Sequence, residues 1–423
     1  MRFDLLLKGG QVVDPDSGLS GRLDVAVQRR RIAAVEAEIP AESAFQVVDV
    51  TGCYVTPGLI DLHAHFQLGT YWGIDADAIG SQSGVTTWVD AGSPGALTLP
   101  AFRQTVVAMS EVRVFTFVNI AYIGLVAQDY ELSNPEYANI ELLERVVNLH
   151  RDIVVGIKVR AGRSGGGKDL EPLRQARRAA DNLELPIMVH LSTAPPTLEQ
   201  VLELLKPGDI LTHAFTGQTM RLIDDQGRIR EAAKRAIESG VIVDLGHGAG
   251  SFSFESAEAL TRQGYWPGTI SSDLHWLAIY GSNLIDPLKG SAFGDPTSAT
   301  RSIIVNVRGD GQPVFNLLTC LDKLMYLGMP LQEAIRAVTS RPAEILGMKG
   351  ELGSLKPGAC ADIAVLRLTP GNYELHDIHG NVRHSKEQLR HHMTVLDGQL
   401  WQPIPLPPPP PWVNFVDKTY DRA

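Results

Sequence analysis

The sequence predicts an α/β protein: a (β/α)8 TIM barrel with a small β-sandwich domain formed by both termini. Three observations predict it. From Gly58 onward, eight short apolar runs alternate with longer helical stretches, the pattern of repeated βα units. Both chain ends instead carry short Val-, Ile- and Leu-rich runs separated by turn residues. Polar residues stand at the C-terminal ends of the central runs, where barrel active sites form.

In chain order, residues 3–7, 11–13, 23–27, 32–35, 46–50 and 53–55 read as strands, with Gly9-Gly10 and Asp14-Pro15-Asp16 as turns. The eight barrel strands are 59–63, 86–90, 112–119, 153–158, 187–190, 210–213, 241–245 and 269–273. Stretches such as 170–183 and 229–239 supply helices. No GxGxxG follows the first strand, which argues against an open nucleotide-binding sheet. A helical stretch over 331–346 precedes a turn at 353–358 and strands at 362–367 and 393–396. Residues 1–57 and 350–400 therefore form the β-sandwich domain and 58–349 the catalytic barrel, and 401–423 is a Pro-rich tail. The prolines from Pro407 to Pro411 hold that tail extended.

At 423 residues the chain is long enough for a barrel of about 250 residues and a second unit. A net charge of −10 and the absence of a large Lys/Arg cluster exclude electrostatic grip on nucleic acid. Arg29-Arg30-Arg31 reads as a polar turn. Cys53, Cys320 and Cys360 lie far apart with no CxxC, which argues against a disulfide scaffold and for the reducing cytoplasm. The N-terminal apolar run is too short for a signal peptide, and no run reaches the ~20 apolar residues of a membrane span. The expected partner is a small molecule, with a homo-oligomer possible.

His63 and His65 close the first barrel strand, and residues two apart share a side, so both face inward. His190, His213 and Asp273 end later strands. Each alone reads as a core histidine or a helix cap; five such residues at strand ends point to metal ligation. Lys158 ends the fourth strand. Beside divalent metals it would lose its proton, and a neutral amine can add carbon dioxide to give a bridging carbamate. A lysine reaching solvent, or one pairing with a substrate carboxylate, remains open at this level. Arg160, two residues on, is either a carboxylate partner or a surface arginine. His247, set among Gly246, Gly248 and Gly250, either hydrogen-bonds substrate or stabilises its loop.

With these residues in view, the chain resembles the amidohydrolase superfamily over nearly its full length. The matching pieces are VTPGLIDLHAHF (55–66), GIKVR (156–160), VHLSTAP (189–195), LTHAFTG (211–217), SSDLHW (271–276) and TSRPAEILGMKGELGSLKPGACADIAVL (339–366). Within it the chain looks most like the deacetylase and D-aminoacylase group, with dihydroorotase-like relatives. The resemblance implies two divalent metal ions, usually zinc. It assigns His63 and His65 to one with Asp273, His190 and His213 to the other, and N6-carboxylated Lys158 as the bridge. It further implies a metal-activated hydroxide, with Asp273 as general acid and base. Two dications against a carbamate, a carboxylate and a hydroxide leave about one positive charge, which favours a substrate bearing a carboxylate. The expected activity is hydrolysis of an N-acyl or O-acyl (acetyl) bond. Cyclic amide hydrolysis is the alternative, followed by a non-catalytic barrel, which would have lost ligands.

Overall fold

The computed structural model describes residues 2–162, 165, 169–280 and 315–408. The chain is mixed α/β with two sheets. Strands β1 (Phe3–Asp14), β2 (Leu19–Gln28), β3 (Arg31–Glu36), β4 (Ala44–Asp49) and β5 (Tyr54–Pro57) come from the N-terminal end. Seven parallel strands follow: β6 (Leu59–Ala64), β7 (Val85–Gly95), β8 (Arg113–Asn119), β9 (Val154–Arg160), β10 (Ile187–His190), β11 (Ile210–Thr212) and β12 (Ile242–Val243). The chain closes with β13 (Ile363–His376), β14 (Val382–Leu396) and β15 (Gln399–Trp401).

β6 to β12 pair in strict chain order, as consecutive βα units demand. Leu62, Val89, Ala91, Phe117, Met188 and Ile210 fill one apolar cluster from five of these strands. Gly156 is required there, because a Cβ would lie 2.3 Å from the Phe117 ring. The eighth expected strand, 269–273, is not a regular strand. It is tied to both edges of the sheet by single bridges, Asp244 to Thr269 and Ala64 to Leu274. The reason is local. Ser271 and Ser272 spend their hydroxyls on Asp244 and Asp61, and Asp273 takes a left-handed backbone (φ 51°), so the ladder is interrupted. The stretch 331–346 is likewise two helices, Leu331–Ala337 and Ser340–Ile345.

Both chain ends share one sheet, ordered β15-β14-β13-β5-β1-β2-β3, with β4 on β1. Hydrogen bonding thus joins the terminal strands into one sheet, where a sandwich would have two. The N- and C-terminal halves meet where Val365 faces Val55 in the β13–β5 pair. Leu5, Leu7, Val12, Val25, Val365 and Val395 form its core. Trp401 ends β15, so the tail starts one residue later than expected. Ile404 then straps onto the barrel, donating its N–H to Ser81 Oγ (2.9 Å) and accepting from Gln82 Nε2 (2.7 Å). The proline run beyond residue 408 lies outside the described residues. Among the described residues no helix is long and apolar enough to cross a membrane.

Arg113, at the start of β8, ties the two sheets together. Its guanidinium binds the buried Asp362 carboxylate and Asp397 Oδ1 (2.7 Å). Truncation would strand the Asp362 charge, so we expect Arg113→Ala to cost about 3 kcal/mol in urea denaturation. A loss below about 1 kcal/mol, the level of an exposed pair, would show that this bridge does not hold the sheets.

Candidate metal centre

All six residues expected at the strand ends converge. His63 lies in β6, His65 just beyond it, Lys158 in β9 and His190 at the end of β10. His213 and Asp273 sit past the regular strands, both in left-handed backbone (φ 63° and 51°). His and Asp tolerate that region better than most residues, and here it turns their side chains towards the others. Ligand atoms of His63, His213 and Asp273 all lie within 4.8 Å of one another. His190 packs its ring 4.2 Å from that of His213, and Lys158 Nζ lies 3.1 Å from His63 Nε2.

The hydrogen bonds behind the rings fix their protons. Thr212 donates its hydroxyl to Asp244 Oδ2 (2.7 Å), so it can only accept from His63 Nδ1 (2.8 Å). Ser93 hydrogen-bonds to buried Asp90 and accepts from His65 Nδ1 (2.9 Å). His213 Nδ1 donates to the Gly246 carbonyl (2.6 Å). All three rings therefore turn a bare Nε2 lone pair inward. His63 Nε2 and His65 Nε2 each stand 3.1 Å from Asp273 Oδ1, and His213 Nε2 is buried without a hydrogen-bond partner. Apart from the Lys158 Nζ contact at His63 Nε2, these lone pairs face an Asp273 oxygen or no partner at all, an arrangement a cation resolves, so the donor set fits a metal ion.

The electrostatics agree. Burial, with Lys158 nearby, holds His63 neutral; burial, with His213 nearby, does the same for His190. Burial pushes His213 down to about 4. For Asp273, burial opposes ionisation, and a positive charge among His63, His65 and His213, whether a ring proton or a cation, outweighs it and holds the carboxyl well below its usual range. Burial lowers Lys158 to about 8, partly offset by Asp273. Among the described residues no carboxylate lies within ion-pair distance of its Nζ. A lysine reaching solvent is thereby ruled out: Lys158 is 1% exposed.

Trp72, Leu125, Arg160 and His275, with His65, Lys158, His190 and Asp273, line a cavity of about 60 Å³. Arg160 is not a surface arginine. It is buried and binds Glu131 through Nε (2.7 Å) and Nη2, with Nη1 3.8 Å from Asp129. His247 does not line this cavity. It is buried between Phe252 and Phe315, and its Nε2 meets Lys323 Nζ at 2.6 Å. The sequence reading missed Thr212, Asp244, Ser93 and Asp90, although polar residues inside apolar runs were a usable signal. It also missed Glu131 and Lys323, for which no local signal exists.

Asp61, behind His63, accepts from the N–H groups of His63 (3.2 Å) and Ser272 (3.1 Å). Burial outweighs these bonds and raises it to about 7 from 3.8. The folded state thus keeps a proton that the unfolded chain loses, so this group lowers stability as pH rises from about 4 to 7. We expect metal-free Asp61→Asn to gain stability relative to wild type across that window. A pH-independent difference in urea midpoints would refute it.

A sequence model of the amidohydrolase family matches residues 325–401. A deacetylase of Enterococcus faecalis is 33% identical over 405 residues, covering 95% of this chain and 100% of that protein. Among solved structures, an adenine deaminase superposes with TM-score 0.80 and 33% identity, covering 95% of this chain and 100% of that one. A dihydroorotase gives TM-score 0.79 and 29% identity, covering 96% and 99%.

Proposed function

The chain belongs to the amidohydrolase superfamily, as a deacetylase-like hydrolase of C–N bonds, and from that premise we propose that it removes an N-acyl or O-acyl group, acetyl above all, from a small carboxylate-bearing molecule. The observation that carries this reading is the inward convergence of bare imidazole nitrogens on one ionised carboxylate. His63 and His65 would hold one divalent ion with Asp273, and His190 and His213 the other. Lys158 would lose its ammonium proton and then add carbon dioxide, releasing a second proton, to become the bridging carbamate. Nitrogen and oxygen donors in this number suit zinc. Residues 58–349 would form the barrel, closed through 269–274, and 1–57 with 350–400 the second domain.

Bound metals would supply an activated water near neutral pH and polarise the substrate carbonyl. Asp273, held ionised, accepts a proton and returns it to the leaving nitrogen or oxygen. Glu131 fixes the Arg160 guanidinium in the cavity wall, where a substrate carboxylate would meet it. Trp72, Leu125 and His275 limit water around the reacting bond.

Similarity to a dihydroorotase supports cyclic amide hydrolysis as the second reading. Zinc-loaded protein assayed against N-acetyl amino acids, O-acetyl hydroxy acids, dihydroorotate and hydantoin decides between them. We expect turnover of the acyl compounds. Turnover of the rings alone would move the function to the second reading. Protein that holds no metal after growth with zinc, with any activity unchanged in His63→Ala, would end the metal-hydrolase reading.

A further inference from the structure

We propose that Lys323 is a positioning residue for the reaction, acting on His213 and Asp273 through His247 and the Gly246–Gly248 turn. The inference rests on the metal-hydrolase reading above. Lys323 lies on the helix Leu317–Tyr326 and is 3% exposed. Its ammonium lies over the rings of Phe252 (5.2 Å) and Phe315 (5.6 Å). Among the described residues no carboxylate pairs with it, and His247 Nε2 accepts from it at 2.6 Å. A side chain placed there only to fill space would be apolar, because burying an ammonium against one neutral acceptor is costly.

What the lysine achieves is a fixed proton. An ammonium only donates, so His247 Nε2 must be the acceptor and the ring proton must sit on Nδ1. Nδ1 then donates to the Gly248 carbonyl (2.8 Å). The same turn touches the metal centre twice. The Gly246 carbonyl accepts the His213 Nδ1 proton at 2.6 Å, which leaves Nε2 bare. Gly248, at φ +56°, is so close to Asp273 that a Cβ would lie 2.5 Å from Oδ2. Backbone bonds from His247 N to the Ser271 carbonyl (3.1 Å) and Gly248 N to the Ser272 carbonyl (3.0 Å) complete the link. Without the ammonium, His247 can move its proton to Nε2. Nδ1 and the Gly248 carbonyl would then repel, and the turn that seats His213 and Asp273 would loosen.

The test compares Lys323→Met, Lys323→Arg and Phe252→Leu in the zinc-loaded, full-length protein. Phe252→Leu loosens the same packing but leaves the donor. Zinc loss to a chelator and the kcat and KM of the best acyl substrate are read for each. We expect Lys323→Met to release zinc about tenfold faster and to lower kcat about tenfold with little change in KM. Lys323→Arg, which keeps a donor, should recover most of both, and Phe252→Leu should lower only the melting temperature. Equal zinc release and kcat in Lys323→Met and Phe252→Leu would overturn the proposal, leaving Lys323 as packing. A rise in KM alone would also overturn it, by making Lys323 a substrate contact. If no acyl substrate is turned over, the functional reading fails, yet zinc release still decides the role of Lys323.

Discussion

Asp273→Asn is expected to lower kcat about 10³-fold while KM and zinc content change much less. The side chain is held between His63 Nε2 and His65 Nε2, each 3.1 Å from Oδ1, with His213 Nε2 3.9 Å from Oδ2. Asparagine keeps the shape and one oxygen donor for a metal. It cannot take up a proton, and its amide group would put N–H donors where the imidazoles present lone pairs. The measurement is steady-state kinetics on the acyl substrate with metal content determined on the same sample. A loss smaller than about tenfold, with metal retained, would assign the proton transfer to another group and leave Asp273 a ligand only.

Gly92→Ala is expected to be the most damaging change outside the ligand set, costing about 3 kcal/mol of stability and most of the activity. Gly92 lies within β7, separated by β8 from the lysine strand β9. Its φ is +89°, and a Cβ would come 2.5 Å from Lys158 Cβ and 2.6 Å from Lys158 Cγ. Those are the stiff first atoms of the side chain, so the whole lysine must move out of the centre. Gly52→Ala is the control. Gly52 has a similar φ of +77° but nothing within 4 Å of the added carbon. It should cost only the backbone term of about 1 kcal/mol and leave activity alone. Equal urea midpoints for the two variants would show that the contact with Lys158 is not what makes Gly92 necessary.

The sequence by itself determined the βα alternation, the strands at both chain ends and the inward side of His63, His65, Lys158 and His190. Each follows from a local period: residues two apart on a strand share a face, and apolar runs mark which face is buried. Tertiary structure decided what those residues do there. The segment 269–273 reads as a strand from its apolar start, yet Asp61 and Asp244 capture its serine hydroxyls from other strands and Asp273 turns left-handed. Arg160 is equally compatible with surface or cavity until Glu131, 29 residues earlier, takes its guanidinium. His247 is set by Lys323, 76 residues away. Such pairings depend on how strands and helices are brought together around the centre, and no short-range pattern encodes them. The residue types gathered at the centre could thus be read from the chain, whereas the positions of their protons required the fold.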